Sequence, residues 1–217
     1  MSKIAIIDYG SSNLRSVFKA LEKVAVSQQK VEVTNDPAVI AAADRVVFPG
    51  QGAIANCMSQ LQKLDLIESV KEAIAEKPFL GICLGLQSLM LTSEENDNTP
   101  CLGIYDGMVK RFHHQEMDRK KTTPREKIPH MGWNQVQWTR PHPLTAGIPT
   151  SSRFYFVHSY FVEVQDKALV ASKTEHILDF TSAIAKNNVF ATQFHPEKSA
   201  AFGLTLLKNF VTWNGSC

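Results

Sequence analysis

Short apolar runs rich in β-branched residues alternate with helix-patterned segments over the first half of this chain. The strand-like runs lie at residues 3–8, 31–34, 45–48 and 79–82. Apolar side chains at helical spacing lie between and after them, at residues 14–24, 54–75 and 84–91. Strands that alternate with helices require right-handed crossovers, which build a mostly parallel sheet covered on both faces. The pattern therefore predicts an α/β fold, with the second helical segment divided into two pieces near residues 63–65.

The second half of the chain has a different pattern, in which strand-like runs follow one another through short connections. These runs lie at residues 109–112, 134–138, 153–157, 160–164, 168–172, 182–185 and 189–192, and an amphipathic helix follows at 203–213. Such strands predict a mixed or antiparallel extension of the sheet. No repeat or low-complexity linker divides the sequence, so we expect one α/β domain over residues 1–217.

Composition and charge exclude several classes of protein. A formal net charge of +2 gives no reason to expect nucleic acid or an anionic membrane as the main partner. No run approaches the roughly 18 apolar residues that span a bilayer, and the first apolar run is too short for a signal peptide. The four cysteines lie far apart without a CxxC pair, as is usual in reducing compartments. We expect a cytoplasmic protein with free thiols.

One segment, residues 110–127, departs from the general composition. It holds seven basic and three acidic residues and few apolar ones, which predicts a solvated loop, placed near a partner protein. A metal site formed by His113, His114 and Glu116 is an alternative for this loop. Adjacent residues in a polar loop seldom converge on one ion, so no metal or organic cofactor is expected.

The pentapeptide 81–85, Gly-Ile-Cys-Leu-Gly, lies between a predicted strand and a predicted helix. Glycines on both sides remove Cβ atoms that would clash in a tight turn, as in the nucleophile elbow of hydrolases. Free N–H groups at the start of the helix stabilise a thiolate, and the N–H of Leu84 is placed to bind an oxyanion. We therefore predict that Cys83 is a nucleophile, whereas Cys57, Cys101 and Cys217 lack this setting and are expected to be ordinary core cysteines.

A cysteine nucleophile needs a base, and the base needs a group that orients it. The segment 193–197, Gln-Phe-His-Pro-Glu, supplies both. Residues i and i+2 of an extended segment point the same way, and Pro196 favours an extended His195. We predict that His195 is the general base and that Glu197 orients its imidazole.

A second glycine-rich segment, Pro49-Gly50-Gln51-Gly52, follows the predicted strand 45–48. Its place at the end of a strand makes the backbone N–H of Gln51 a candidate second oxyanion donor. An ordinary strand-to-helix turn explains this segment equally well.

Together, the segments 49–52, 81–87 and 193–197 resemble the class-I, or triad, glutamine amidotransferases. The order along the chain is the family's own: oxyanion loop, then cysteine, then histidine and glutamate. The resemblance implies a single domain that hydrolyses glutamine to glutamate and ammonia without a cofactor.

Further segments resemble the glutaminase subunits of imidazole glycerol phosphate synthases. They are Asp8-Tyr9-Gly10 with Asn13-Leu14, the run Pro129-His130-Met131-Gly132-Trp133-Asn134, the run 155–160, and Glu197-Lys198-Ser199. This resemblance implies a heterodimer with a (β/α)8-barrel cyclase subunit, which receives the ammonia during histidine biosynthesis. Two departures stand out: Ser12 occupies a position where many relatives have glycine, and the charged segment 110–127 is long.

The resemblance also implies roles for individual residues. Gln87, Ser159 and Tyr160 would bind glutamine, together with Gly50 and Gly52. Asn13 and the run 129–134 would lie towards the cyclase. Three other functions stay open at this stage: a glutaminase that serves another synthase, a stand-alone γ-glutamyl hydrolase or cysteine peptidase, and a non-catalytic binding module on the same fold.

Overall fold

The structure is a computed structural model that describes residues 2–113 and 127–216. Its strands are β1 (Ser2–Ile7), β2 (Gln29–Thr34), β3 (Arg45–Gly50), β4 (Phe79–Cys83), β5 (Thr92–Ser93), β6 (Thr99–Pro100), β7 (Gly107–Arg111), β8 (His130–Trp138), β9 (Ser152–His158), β10 (Tyr160–Val164), β11 (Val170–Glu175), β12 (Asp179–Lys186) and β13 (Val189–Thr192). Its α-helices are α1 (Leu14–Val24), α2 (Pro37–Ala41), α3 (Ile54–Lys63), α4 (Ile67–Glu76), α5 (Leu84–Gln87) and α6 (Ala200–Thr212). Short 3-10 helices occupy Pro143–Thr145, Lys167–Leu169 and Pro196–Lys198.

The parallel part of the sheet has the order β2, β1, β3, β4, β13. Side chains of β1 alternate between two cores, because successive residues of a strand point to opposite faces. Ile4 and Ile6 pack with α1 and α6, whereas Ala5 and Ile7 pack with α2, α3 and α4. Helices therefore cover both faces, as the alternating pattern predicted.

Beyond β13 the sheet continues through antiparallel neighbours, in the order β12, β10, β7. Strand β11 pairs with β12 and also with β8, and β8 forms a long antiparallel pair with β9. The predicted mixed extension of the sheet is confirmed. The charged segment lies mostly outside the described residues, which include only 110–113 and Lys127, so the predicted loop and the His113–His114–Glu116 alternative stay untested.

Two predictions about helices had different outcomes. The predicted division of the second helical segment is confirmed: α3 ends at Lys63, and Asp65 adopts a positive φ of 54° before α4 begins. The predicted helix over 84–91 is wrong beyond Gln87. Past that point the backbone turns more tightly, and the N–H groups of Leu102 and Ile104 donate to the carbonyls of Ser88 and Leu89.

Several strand boundaries also differ from prediction by a few residues, among them those of β11 and β8. Residues 167–169 form a 3-10 turn, and strand β11 begins only at Val170. Strand β8 begins at His130 rather than at Asn134, because its backbone pairs with β9 from His130 onwards. Among the described residues, no helix is long and apolar enough to cross a membrane. The predicted cytoplasmic location stays a prediction.

Candidate active site

Three sequence motifs meet because β3, β4 and β13 are parallel neighbours. Gly50 is paired with Cys83, and Ile82 is paired with Thr192, so the three strands end at one edge of the sheet. In open α/β sheets, ligands bind at the carboxyl ends of the parallel strands. The register alone thus brings the segments 49–52, 81–87 and 193–197 to one place.

Cys83 ends β4 in a strained conformation, with φ 56° and ψ −102°, and α5 begins at the next residue. Positive φ values are uncommon for residues other than glycine and cluster at functional sites. The flanking glycines leave no room for side chains. A Cβ on Gly85 would lie 1.9 Å from the carbonyl oxygen of Phe48, and one on Gly81 would lie 2.7 Å from the carbonyl oxygen of Gly85. The elbow predicted from the pentapeptide is present.

Cys83 lines a cavity of about 440 Å³. Its other lining residues come from several elements: Ser12, Gln51, Gly52, Leu84, Gln87, Glu95, Pro129, Val157, His158, Ser159 and Tyr160. Both candidate oxyanion residues and four of the predicted glutamine-binding residues, Gly52, Gln87, Ser159 and Tyr160, therefore surround one space. Gly50 lies apart from this lining and packs on Tyr9, whose hydroxyl occupies the place that a Cβ of Gly50 would take.

His195 and Glu197 form a fully buried pair beside the cysteine. The Nδ1 atom of His195 donates to Oε1 of Glu197 at 2.8 Å, because a carboxylate can only accept. The backbone holds the histidine as well: its N–H donates to the carbonyl of Tyr155, and its carbonyl accepts from the hydroxyl of Ser199. Nε2 of His195 is buried without a hydrogen-bond partner among the described residues.

Opposing influences act on the imidazole of His195. Burial disfavours its charged form, but the neighbouring Cys83 sulfur and the Glu197 carboxylate outweigh burial and raise the pKa of His195 above its ordinary value. The histidine therefore tends to hold a proton beside the cysteine. Such an arrangement suits a base that takes the proton of a thiol and later donates it to a leaving group.

Asn13 occupies a place that the sequence reasoning did not predict for it. It precedes α1 and is buried, and its side-chain amide donates a hydrogen bond to Oε1 of Glu197 instead of capping the helix. The two residues lie 184 positions apart, so spacing carries no signal of this contact. The predicted position of Asn13 towards a partner stays a prediction.

Gln193 is a second site residue to which sequence reasoning assigned no role. Its amide Nε2 lies 3.5 Å from the sulfur of Cys83, and its Oε1 accepts from Gln87 Nε2 at 3.1 Å. The signal was present in the motif, since Gln193 and His195 are two positions apart and side chains at that spacing point the same way in an extended segment.

Glu95 was also missed, although it lines the cavity near the elbow. One of its oxygens accepts from the backbone N–H of Ile54 at 2.8 Å, at the start of α3. It lies in an irregular segment between β5 and β6, where neither helical nor strand periodicity draws attention to it.

The run predicted to face a partner has mixed exposure. Met131 and Trp133 are 63% and 44% exposed, whereas His130 is buried and Pro129 lines the cavity. All but Pro129 belong to strand β8 and not to a loop, which corrects the predicted boundary. Exposed apolar side chains and a wall of the cavity thus lie on the same short stretch of chain.

The remaining described cysteines lack the strained backbone of Cys83 and its glycines on both sides. Burial raises the pKa of Cys57 to about 12 and that of Cys101 to about 11, so both are thiols at neutral pH. Both are free, as predicted. Cys217 lies outside the described residues.

The fold and the site define the class of protein. The described sheet carries a strained cysteine elbow and a buried histidine–glutamate pair at the carboxyl ends of its parallel strands. The chain matches the class-I glutamine amidotransferase family over residues 5–213. A crystal structure of a glutamine amidotransferase superposes with a TM-score of 0.69 at 14% identity, over 95% of this chain and 96% of that one, which shows the shared fold.

Relatives of similar length narrow the class. The chain is 55% identical to imidazole glycerol phosphate synthase subunit HisH from Nitrosococcus oceani, over 99% of each chain. It is 57% identical to the subunit of the same name from Aromatoleum aromaticum, over 98% of this chain and 99% of the relative. The chain belongs to the class-I glutamine amidotransferases and, within them, to the family of HisH subunits.

Proposed function

We propose that this chain hydrolyses glutamine to glutamate and ammonia with a Cys83–His195–Glu197 triad, as the glutaminase subunit of an imidazole glycerol phosphate synthase. The observation that carries this proposal is the strained Cys83 elbow beside a histidine whose other nitrogen donates to a buried carboxylate. The relatives named HisH support the choice of synthase.

The first half of the reaction forms a thioester. The sulfur of Cys83 attacks the γ-amide carbon of glutamine, and its proton passes to Nε2 of His195. The oxyanion binds the N–H groups of Leu84 and Gln51. His195 then gives its proton to the departing nitrogen, and ammonia leaves. Glu197 keeps Nδ1 of the imidazole protonated, so Nε2 is the atom that exchanges protons with the reacting groups.

The second half restores the enzyme. A water molecule gives a proton to His195 and attacks the thioester carbonyl. The carbon–sulfur bond breaks, the sulfur recovers its proton from His195, and glutamate leaves. Every proton in the two halves is exchanged through His195, so no cofactor is required.

The cavity offers contacts for each end of glutamine. Gln87 and the segment Ser159–Tyr160 line it, and Glu95 supplies a carboxylate that attracts the α-ammonium group of the substrate. These contacts place the γ-amide at Cys83. The whole pocket is about the size expected for a small polar ligand.

The ammonia is used by a partner, for which we propose a (β/α)8-barrel cyclase subunit in a heterodimer. Met131 and Trp133 are exposed apolar side chains on β8, close in the chain to Pro129 in the cavity wall. Exposed tryptophan and methionine side chains are enriched at protein interfaces. The oxyanion donor at Gln51 becomes available only when the partner holds its acceptor, which prevents waste of ammonia; one such donor is worth about 10²–10³ in rate.

The test measures glutamate release by the purified chain, alone and with the barrel cyclase plus its nucleotide acceptor. We expect strong stimulation by the partner, complete loss in Cys83→Ala, and full activity in the matched thiol variant Cys101→Ala. Turnover that depends on Cys83 but ignores the partner would instead identify a stand-alone hydrolase or a different synthase. Activity that survives Cys83→Ala would refute the triad.

A further inference from the structure

Two buried histidines outside the triad form a connected pair beside the cavity. His130 on β8 and His158 on β9 are paired in the antiparallel register, and their rings meet with Nδ1 of His130 2.9 Å from Nε2 of His158. His158 lines the cavity, and the proposed reaction uses neither ring.

The hydrogen-bond partners at the two ends fix the proton positions. Nδ1 of His158 lies 2.7 Å from the carbonyl oxygen of Tyr160, which can only accept, so this Nδ1 carries a proton. The Nδ2 group of Asn134 lies 3.1 Å from Nε2 of His130 and can only donate, so that Nε2 carries none. The orientation of the Asn134 amide is fixed in turn, because its Nδ2 also donates to the carbonyl of Glu175 and its Oδ1 accepts from the backbone N–H of Gln135.

Only one arrangement satisfies every bond of this pair. His130 donates from Nδ1, His158 accepts at Nε2 and donates from Nδ1, and both rings are neutral. A proton added to either free nitrogen would set two N–H groups against each other. Burial acts in the same direction and lowers the pKa of His130 to about 2 and that of His158 to about 3.

The pair belongs to a longer chain of hydrogen bonds that reaches the nucleophile. The carbonyl of Tyr160 also accepts from Nε2 of Gln87 at 3.2 Å. Gln87 donates to Gln193, and Gln193 donates to the sulfur of Cys83. At its other end this series of hydrogen bonds begins at Asn134, one residue beyond the exposed Trp133. It therefore runs from β8 through the cavity wall to the reacting sulfur.

We infer that His130 and His158 are positioning residues, which hold the Tyr160 carbonyl and thereby set Gln87 and the Ser159–Tyr160 segment for glutamine. This inference rests on the proposed function for its substrate. The assigned proton positions and hydrogen bonds of the two histidines rest on the geometry alone. Loss of the bond from His158 to Tyr160 would release the peptide that lines the pocket, while the His195–Glu197 pair would remain in place.

Nitrogen NMR of the ¹⁵N-histidine-labelled protein tests directly which ring nitrogens carry protons. Signals are assigned with His130→Asn and His158→Asn, each of which removes one ring. We expect both rings to show the less common tautomer with the proton on Nδ1, and to stay neutral from about pH 6 to 8. A proton on Nε2 of either ring, or a charged ring at about pH 7, would overturn the inference, whatever the chain catalyses.

Kinetics of the complex with the cyclase test the positioning role. His158→Leu removes the donor to Tyr160, and we expect KM for glutamine to rise about tenfold with kcat little changed. His158→Asn keeps an N–H on the atom corresponding to Nδ1, so its KM should stay close to that of the wild type. Equal effects of Leu and Asn, or no rise in KM, would contradict the inference.

A matched control separates this effect from general damage to the core. His142 is equally buried, and its ring packs on Phe190 and Trp213 away from the chain of hydrogen bonds. His142→Leu should lower the melting temperature without changing KM. If His142→Leu raised KM as much as His158→Leu, the effect would belong to the core and not to positioning. If the wild-type complex released no glutamate, the proposed function would fail. The NMR result would still decide whether His130 and His158 carry their protons on Nδ1.

Discussion

At the scale of single residues, the site contains a fourth member behind the predicted triad. Glu197 accepts from His195 and from Asn13 through the same oxygen, and all three side chains are buried. Two donors on one oxygen hold the carboxylate in a single orientation. Because Glu197 also accepts from the imidazole of His195, a shift of Asn13 would change the position of the ring that we propose as the base.

Replacement of Asn13 by alanine tests this contact. One donor to a buried carboxylate is lost, and we expect kcat for glutamine hydrolysis to fall about tenfold, with KM nearly unchanged. The matched control is Asn209→Ala. The side-chain amide of Asn209, on α6, likewise donates hydrogen bonds, but its acceptors are the backbone carbonyls of Leu144 and Ala146. A rise in KM alone, with kcat intact, would assign Asn13 to the substrate pocket instead.

The sequence predicted Cys83, His195 and Glu197 as the triad because the chemistry proposed for each depends on its immediate neighbours. Flanking glycines mark the elbow, and a two-residue spacing marks the base and its orienting group. Contacts between distant segments leave no such mark. Asn13 with Glu197, and His130 with His158, depend on how strands and helices are brought together, so they appear only in the folded chain.

At the scale of elements, the elbow depends on the close approach of α5 to β3. Gly85 lies so near the carbonyl of Phe48 that a Cβ would overlap it at 1.9 Å. The helix is one turn long, because the chain then pairs with residues 101–105 instead of continuing. Periodicity predicted a longer helix here, since the apolar residues of 84–91 remain largely buried through contacts that no local pattern describes.

Substitution of Gly85 by alanine tests the requirement for this approach. The backbone carbonyl cannot move away freely, so α5 must shift, and we expect a loss of about 1–3 kcal/mol in the free energy of unfolding. Glutaminase activity should fall more steeply than stability, because the N–H of Leu84 moves with the helix. Urea denaturation and glutamate release measure the two effects.

Gly147→Ala is the comparison for Gly85→Ala. Gly147 has a positive φ of 76°, but no atom lies within 4 Å of the place that a Cβ would take. Alanine at this position therefore meets backbone strain alone, about 1 kcal/mol. Its activity should be retained. If Gly85→Ala kept normal activity, the close packing of α5 would not be what sets the elbow.

At the scale of the whole molecule, the strand order does more than any local signal to create the site. Motifs separated by more than a hundred residues meet because β13 returns to lie beside β4, opposite β3. The alternating pattern predicted a parallel sheet, but it did not fix which strands are neighbours. The antiparallel strands then supply β8 and β9, which carry the histidine pair to the cavity wall.

Among the described residues, His130, His142 and His158 are buried and their pKa values are lowered, so they influence how the stability of the folded chain responds to acid. Burial lowers the pKa of His142 to about 4, and it acts in the same direction on His130 and His158. In the unfolded chain each histidine titrates near its ordinary value of about 6.5. Below that pH the unfolded state binds more protons than the folded state, so the stability from these groups is present above about pH 6.5 and is lost as the pH falls towards their folded values.

We therefore expect the free energy of unfolding to decrease from about pH 6.5 to 5, by up to about 1.4 kcal/mol per pH unit for each neutral histidine. Urea denaturation across this range measures the slope. His142→Asn should reduce the slope by about one proton, and His130→Asn combined with His158→Asn by about two. His195 acts oppositely: its raised pKa adds stability at low pH that is lost as the pH rises through its folded value, so it does not cause the acid loss. An unchanged slope in all these variants would show that carboxylates, and not buried histidines, govern acid unfolding.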